Sequence, residues 1–136
     1  MQGGGERWGC ARCHDPDPEQ AWRWLSARTQ PRQPLIQESH FMVSVTICID
    51  CGQRFVRVFS EQIDWHGGDD PQHTEIVPAR PDELTALTPG VSERTVVELL
   101  QRLCADGRPR LVRDWPSSGS IHTAWTTGHL WLPRHD

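Results

Sequence analysis

An α+β fold is predicted for this 136-residue chain from three observations. They are two Cys-x-x-Cys pairs, a β-branched run that meets a second apolar run across the later pair, and a capped segment with apolar residues at helical spacing. The pairs are Cys10-Ala11-Arg12-Cys13 and Cys48-Ile49-Asp50-Cys51, which use four of the five cysteines. Four thiolates delivered as two such pairs make a tetrahedral zinc site, each pair supplying two sulfurs from one tight backbone turn. The expected architecture is a single zinc-stapled domain over residues 1–136, with a zinc-knuckle β-hairpin, antiparallel strands and two or three helices.

The elements follow in chain order. Asp17-Pro18-Glu19-Gln20 supplies an N-cap, a first-turn proline and a Gln at the third helical position, opening a helix to about Thr29 with Trp22 and Leu25 on its buried face. Pro31 and Pro34 are expected to break the chain. Phe41 to Ile47 is β-branched and meets Gln53 to Ser60 across the Cys48 to Cys51 turn, a hairpin with the metal at its tip. Thr74 to Val77 reads as a further strand and Pro81 to Leu87 as a short helix. Ser92 should cap a firmer helix, in which Val96, Leu100, Leu103 and Cys104 share a face, Glu98 and Arg102 pair at i,i+4, and Gly107 is the stop. Cys104 is thereby placed in the core. Strands are expected at Arg110 to Trp115, Ile121 to Trp125 and His129 to Leu132, with Pro116 to Gly119 as the first turn between them.

The metal assignment meets two competitors and one geometric objection. Gly52 follows the second pair directly, where a knuckle turn needs a residue tolerant of positive φ. Cys13 is instead followed by His14, and Cys-x-x-Cys-His is also the attachment signature of a c-type haem, with His14 as axial ligand. Met1 to Gly9 lacks the basic, apolar and small-residue succession of an export signal, and the haem reading leaves Cys48 and Cys51 unexplained. A redox or disulfide role for the pairs stays open beside it. The 34 residues between Cys13 and Cys48 exceed the spacing of compact zinc modules. Loop closure costs only about 0.6 kcal/mol per doubling of length, so a folded intervening segment makes the gap tolerable. A site whose four positions are all sulfur has no place for water or substrate, and its metal is expected to be structural.

At its Cys-x-x-Cys-Gly hairpin the chain resembles the zinc-ribbon and zinc-knuckle group of folds. The resemblance rests on Cys10 to Cys13 and about His40 to Ser60, less than a third of the chain. It implies metal ligation by Cys10, Cys13, Cys48 and Cys51 and little about activity, because zinc ribbons include nucleic-acid binders, transcription and ribosome accessories, and structural staples. His14 and the long insertion depart from the usual pattern and bear on the topology more than on the ligands.

Composition narrows the classes of function. Hydrophobic residues make up 36% and Gly and Pro number 11 each, a thin core that suits a metal-stapled fold. No apolar run approaches the length needed to cross a bilayer, so a soluble, cytoplasmic protein with no membrane partner is expected, and the unpaired Cys104 agrees with a reducing compartment. All 14 basic residues are arginine, a codon-composition effect of a GC-rich genome. Residues 1–60 carry seven Arg against six acids, residues 61–100 two against nine, and residues 101–136 five against three. Net charge of -4 with an acidic centre disfavours sequence-independent nucleic-acid binding, whose affinity comes from a basic surface, and favours a protein partner with a basic surface.

That acidic centre contains the second constellation, Glu61 to His73. Asp64, His66, Asp69, Asp70 and His73 are feasible metal ligands, and a mixed oxygen and nitrogen set can keep a position open for catalytic water. No known ligand spacing is matched, and Gly-Gly and Asp-Pro are turn formers, so an exposed acidic loop is the favoured reading. In that reading Asp64, Trp65, Asp69 and Asp70 form a partner-binding patch, an aromatic anchor surrounded by charge. The other tryptophans, Trp8, Trp22, Trp24, Trp115, Trp125 and Trp131, are assigned mainly to core and interface packing, since no positive groove is evident for base stacking. Ser117, Ser118 and Ser120 near His122 match no nucleophile elbow and read as turn and strand residues.

The functional expectation is a small, non-enzymatic protein with one structural Zn2+ that acts as a protein–protein interaction module: an adaptor, inhibitor or immunity-type protein. Two alternatives stand beside it. One is a zinc-ribbon nucleic-acid accessory, which would need an Arg-rich face built from Arg108, Arg110 and Arg113. The other is a metal-dependent hydrolase at the Asp64 to His73 cluster.

Overall fold

A computed structural model describes residues 8–38, 40–61, 71–115 and 120–128. It is α+β, with six antiparallel strands in one sheet and two α-helices. Helix α1 (Pro18–Ala27) precedes strands β1 (Thr29–Glu38), β2 (Phe41–Cys48), β3 (Arg54–Glu61) and β4 (Gln72–Ala79). A 3-10 turn at Pro81–Leu84 and helix α2 (Glu93–Cys104) lead to β5 (Arg110–Trp115) and β6 (His122–Thr126). Strand order in space is the order in sequence, β1 through β6, so every strand pairs with its chain neighbours in an antiparallel meander.

Residue alternation along the strands creates two apolar faces, and each helix covers one. On the first face Phe41, Val43 and Val45 of β2, Val56 and Val58 of β3, and Val77 and Ala79 of β4 meet Val96, Leu99, Leu100, Leu103 and Cys104 of α2. On the second, Cys48, Phe55, Ile76 and Leu111 meet Ala21 and Leu25 of α1, with Trp22, Trp24 and Trp125 at the margin. The register makes this consistent, because Val56 lies opposite Val77 while Phe55 lies opposite Pro78. Both helix starts are capped as their sequences require. The Asp17 carboxylate accepts from the Glu19 N–H at 3.0 Å, and the Ser92 hydroxyl accepts from the Thr95 N–H at 3.1 Å.

Several elements differ from the expectation. Pro31 and Pro34 do not break the chain; they sit inside β1, which pairs with β2 from Thr29↔Cys48 to Glu38↔Phe41. As the first strand of the sheet β1 is an edge, where a missing N–H costs no ladder bond, and register shifts between Pro31 and Gln33 and between Pro34 and Ile36 absorb the irregularity. The segment after Pro81 forms only the 3-10 turn. Glu98 pairs with Arg94 at 3.5 Å, one turn back, in place of Arg102. β4 begins at Gln72, two residues before the expected start. The expected strand at 129–132 and the turn at 116–119 lie outside the described residues.

Candidate metal centre

The second knuckle closes the β2–β3 hairpin. The Cys48 N–H donates to the Gln53 carbonyl at 2.9 Å, and the Gly52 N–H donates to the Cys48 carbonyl at 2.9 Å, which folds the four-residue turn back on itself. Gly52 has φ +80°, the left-handed conformation expected behind Cys51. The first knuckle sits just ahead of α1, which is locked to the hairpin through Ile49 N–H donating to the Arg28 carbonyl at 3.0 Å. β1 then leaves α1 directly and pairs Thr29 with Cys48. The 34-residue gap is thus filled by one helix and two paired strands whose ends return to the metal end of the sheet.

Cys10, Cys13, Cys48 and Cys51 place their sulfurs all within 4.8 Å of one another, close enough to hold a metal ion. Measured contacts are 3.6 Å from Cys10 Sγ to Cys13 Sγ and 3.8 Å from Cys13 Sγ to Cys51 Sγ. A tetrahedron with metal–sulfur bonds of about 2.3 Å has edges of about 3.8 Å, so the thiol spacing matches such a centre. Cys13 and Cys48 are buried and Cys51 is exposed, which puts the site at the rim of the second core. Burial pushes the Cys13 thiol well above its usual range, with the neighbouring Cys10 and Cys48 thiols adding to the shift. Burial also raises Cys51. At Cys48 burial acts in the same direction but is outweighed by backbone hydrogen bonds from Cys51 and Asp50, and its thiol titrates below the usual value. Four sulfurs this close cannot all ionise without a cation between them, so metal uptake must expel protons.

Surrounding contacts were largely invisible in the sequence. Gly9, with φ +101°, passes so near Cys13 and Gln53 that an added Cβ would lie 3.1 Å from Cys13 Cβ, Cys13 Sγ and Gln53 Cβ. The Gln53 amide donates to the carbonyls of Arg54 at 2.8 Å and Ala79 at 2.9 Å, tying the knuckle to β4. Trp8 is buried, with the guanidinium of Arg108 4.3 Å and that of Arg80 5.3 Å from its ring centroid. Nothing in the sequence around Trp8 pointed to these two arginines. His14 stacks on Trp125 with ring centroids 6.0 Å apart. The pairing of all four cysteines in one cluster uses Cys48 and Cys51, which the haem reading left idle.

Of the acidic constellation, Asp64, Trp65, His66, Asp69 and Asp70 lie outside the described residues. His73 does not belong to a surface loop: it is buried in β4, where Nε2 meets Glu75 at 2.7 Å and Nδ1 meets Asp114. Burial lowers its proton affinity, but the hydrogen bonds to Glu75 and Asp114 prevail and the imidazole titrates above its usual value. Both ring nitrogens therefore serve internal ion pairs. The arginines named for a basic face are also engaged. Arg108 bonds Glu83 at 2.7 Å and Asp106 at 2.8 Å, Arg110 bonds buried Glu75 at 2.6 Å, and Arg113 reaches Glu19 at 3.2 Å. Cys104 is fully buried in the α2 core, away from the quartet. Among the described residues no helix is long and apolar enough to cross a membrane. Comparison with protein-family models, curated proteins and solved structures finds no match, so the chemistry rests on this geometry alone.

Proposed function

We propose that this chain is a non-enzymatic protein–protein interaction module built on one structural zinc held by Cys10, Cys13, Cys48 and Cys51. The observation that carries the reading is the composition of the cluster: four cysteine sulfurs at tetrahedral-edge spacing, which fill a Zn2+ coordination sphere and leave no position for a substrate. Zinc suits such a site because it is indifferent to redox state and takes four thiolates in tetrahedral geometry. The sulfurs bind and orient the ion; the hairpin, α1 and β4 gain a common anchor.

The partner contact is assigned to the acidic segment, with Asp64, Asp69 and Asp70 steering a basic protein surface and Trp65 anchoring it. Residues 61–70 hold four acids and no arginine, which supports this, whereas Glu75 and Glu83 further on are paired with Arg110 and Arg108. The engagement of Arg108, Arg110 and Arg113 by carboxylates argues against the nucleic-acid alternative, which needed those three guanidiniums facing outward. The position of His73 removes one ligand from the hydrolase alternative. Capture from the native cell lysate, compared between the wild type and Asp69→Asn/Asp70→Asn at low and high salt, tests the assignment. A basic protein retained by the wild type and lost from the variant and at high salt, with metal content unchanged, is the expected result. Equal capture by both, or a second metal equivalent that disappears with His66→Ala, would contradict it.

A further inference from the structure

Beside the sulfur quartet, α1 and the first Cys-x-x-Cys turn enclose a groove of about 260 Å3 lined by Arg12, Asp15, Gln20, Arg23, Trp24 and Arg28. Gln20, Arg23, Trp24 and Arg28 recur at the spacing of one helix face, next to the stripe that buries Ala21 and Leu25. α1 thus uses one face to hold the second core and the adjacent face to wall the groove. Arg12 is one of the two residues between the first two cysteines, so the turn that presents the sulfurs also presents its guanidinium.

The groove is rich in donors and poor in acceptors. Three guanidiniums face one lining carboxylate, Asp15, whose Oδ1 already accepts from the Asp17 N–H at 2.9 Å. Arg28 pairs with Asp50 at 3.2 Å, both about half exposed, and Arg23 acts electrostatically on Glu19 one turn back on α1, while Arg12 has no ion pair with any described carboxylate. The guanidiniums of Arg12 and Arg28 lie over the Trp24 ring, 5.2 and 5.5 Å from its centroid, which helps to hold them in place. Trp24 Nε1 is buried and has no hydrogen-bond acceptor among the described residues. The face of the Trp24 ring lines the groove, and the guanidiniums around it lie in a chain of net charge -4.

We propose that this groove binds a small phosphomonoester, with Arg12, Arg23 and Arg28 holding the phosphoryl oxygens. The planar donor fork of arginine matches phosphate oxygens two at a time, and a dianionic ester balances the excess of positive charge in the lining. A groove of this size has room for a small esterified group beyond the phosphate. The site is independent of the acidic segment assigned to the protein partner. The competing explanation is that these arginines only offset the negative charge of the thiolates. It predicts a different outcome.

Titration of the full-length, metal-loaded protein with phenyl phosphate, followed by calorimetry and tryptophan fluorescence, tests the proposal. Saturable binding is expected, weaker for inorganic phosphate and weaker still for benzoate. Arg23→Gln on the exposed face of α1 and Arg28→Gln at its C-cap should each reduce affinity about tenfold or more. Absence of saturation, equal affinity for benzoate, or unaltered affinity in both arginine variants would overturn the site. Inorganic phosphate binding as tightly as phenyl phosphate would overturn the ester assignment. Loss of metal from the arginine variants with phenyl phosphate affinity unchanged would assign them to the thiolate charge instead.

Discussion

Gly9 and Cys104 show how differently two small residues carry the fold. At Gly9 the backbone runs with φ +101° and leaves no space for a side chain against Cys13 and Gln53. Gly9→Ala therefore combines backbone strain with a clash at Cys13 of the sulfur quartet, and it should lower stability by about 1–3 kcal/mol and, with the proposed zinc in place, speed metal loss to a chelator. Thermal melts and the rate of metal release to a colorimetric chelator measure both. Cys104 is a core residue of α2, its thiol pushed upward by burial. Cys104→Ala should stay folded and keep its full metal content, at a cost of about 1–3 kcal/mol. Metal loss in that variant would show that the ligand set is wrong.

Among the elements, β4 carries the least expected chemistry. Apolar Ile76 and Val77 made its centre readable as a strand, but Gln72 and His73 looked like the end of an acidic loop. Their place in the sheet depends on Asp114 lying opposite His73 in β5 and on Arg110 reaching Glu75, partners about 40 residues away that local patterning cannot reveal. These contacts make stability depend on pH with a definite sign. The folded imidazole of His73 titrates above its usual value, so its contribution is fully present below the unfolded value of about 6.5 and is lost as pH rises through the higher folded value. The difference in melting temperature between wild type and His73→Asn should therefore be largest near pH 6 and shrink toward pH 9. A difference that grows with pH over that range would contradict the ion-paired assignment. β1 was hidden for another reason: two prolines suppress a strand reading, and only its position at the sheet edge, with two bulges, makes them compatible with pairing. The β2–β3 hairpin and α2 were legible because each has short-range signals that agree, alternation around a Cys-x-x-Cys-Gly turn in one and a serine cap with spaced apolar residues in the other.

For the whole molecule, the sulfur quartet is where sequence-distant parts meet. The first knuckle and α1 belong to the core on one face of the sheet, α2 to the core on the other, and Cys48 ends the strand that serves both. The four clustered cysteines could be read from the chain because each pair carries its own spacing. The buried environment of Cys13 and the contact of Trp8 with Arg80 and Arg108 could not, since they join residues far apart in the chain. A metal at this junction adds about 10–16 kcal/mol of apparent binding energy in small structural zinc modules, as much as or more than a domain of this size has in total stability. The direct test is elemental analysis of freshly purified wild type and Cys48→Ser, paired with thermal melts in the presence and absence of excess chelator. One zinc per chain in the wild type, its loss from Cys48→Ser, and disappearance of the cooperative melt on chelation are the predicted results. A full zinc equivalent in the variant, or an unchanged cooperative melt in excess chelator, would contradict a structural metal at these four cysteines.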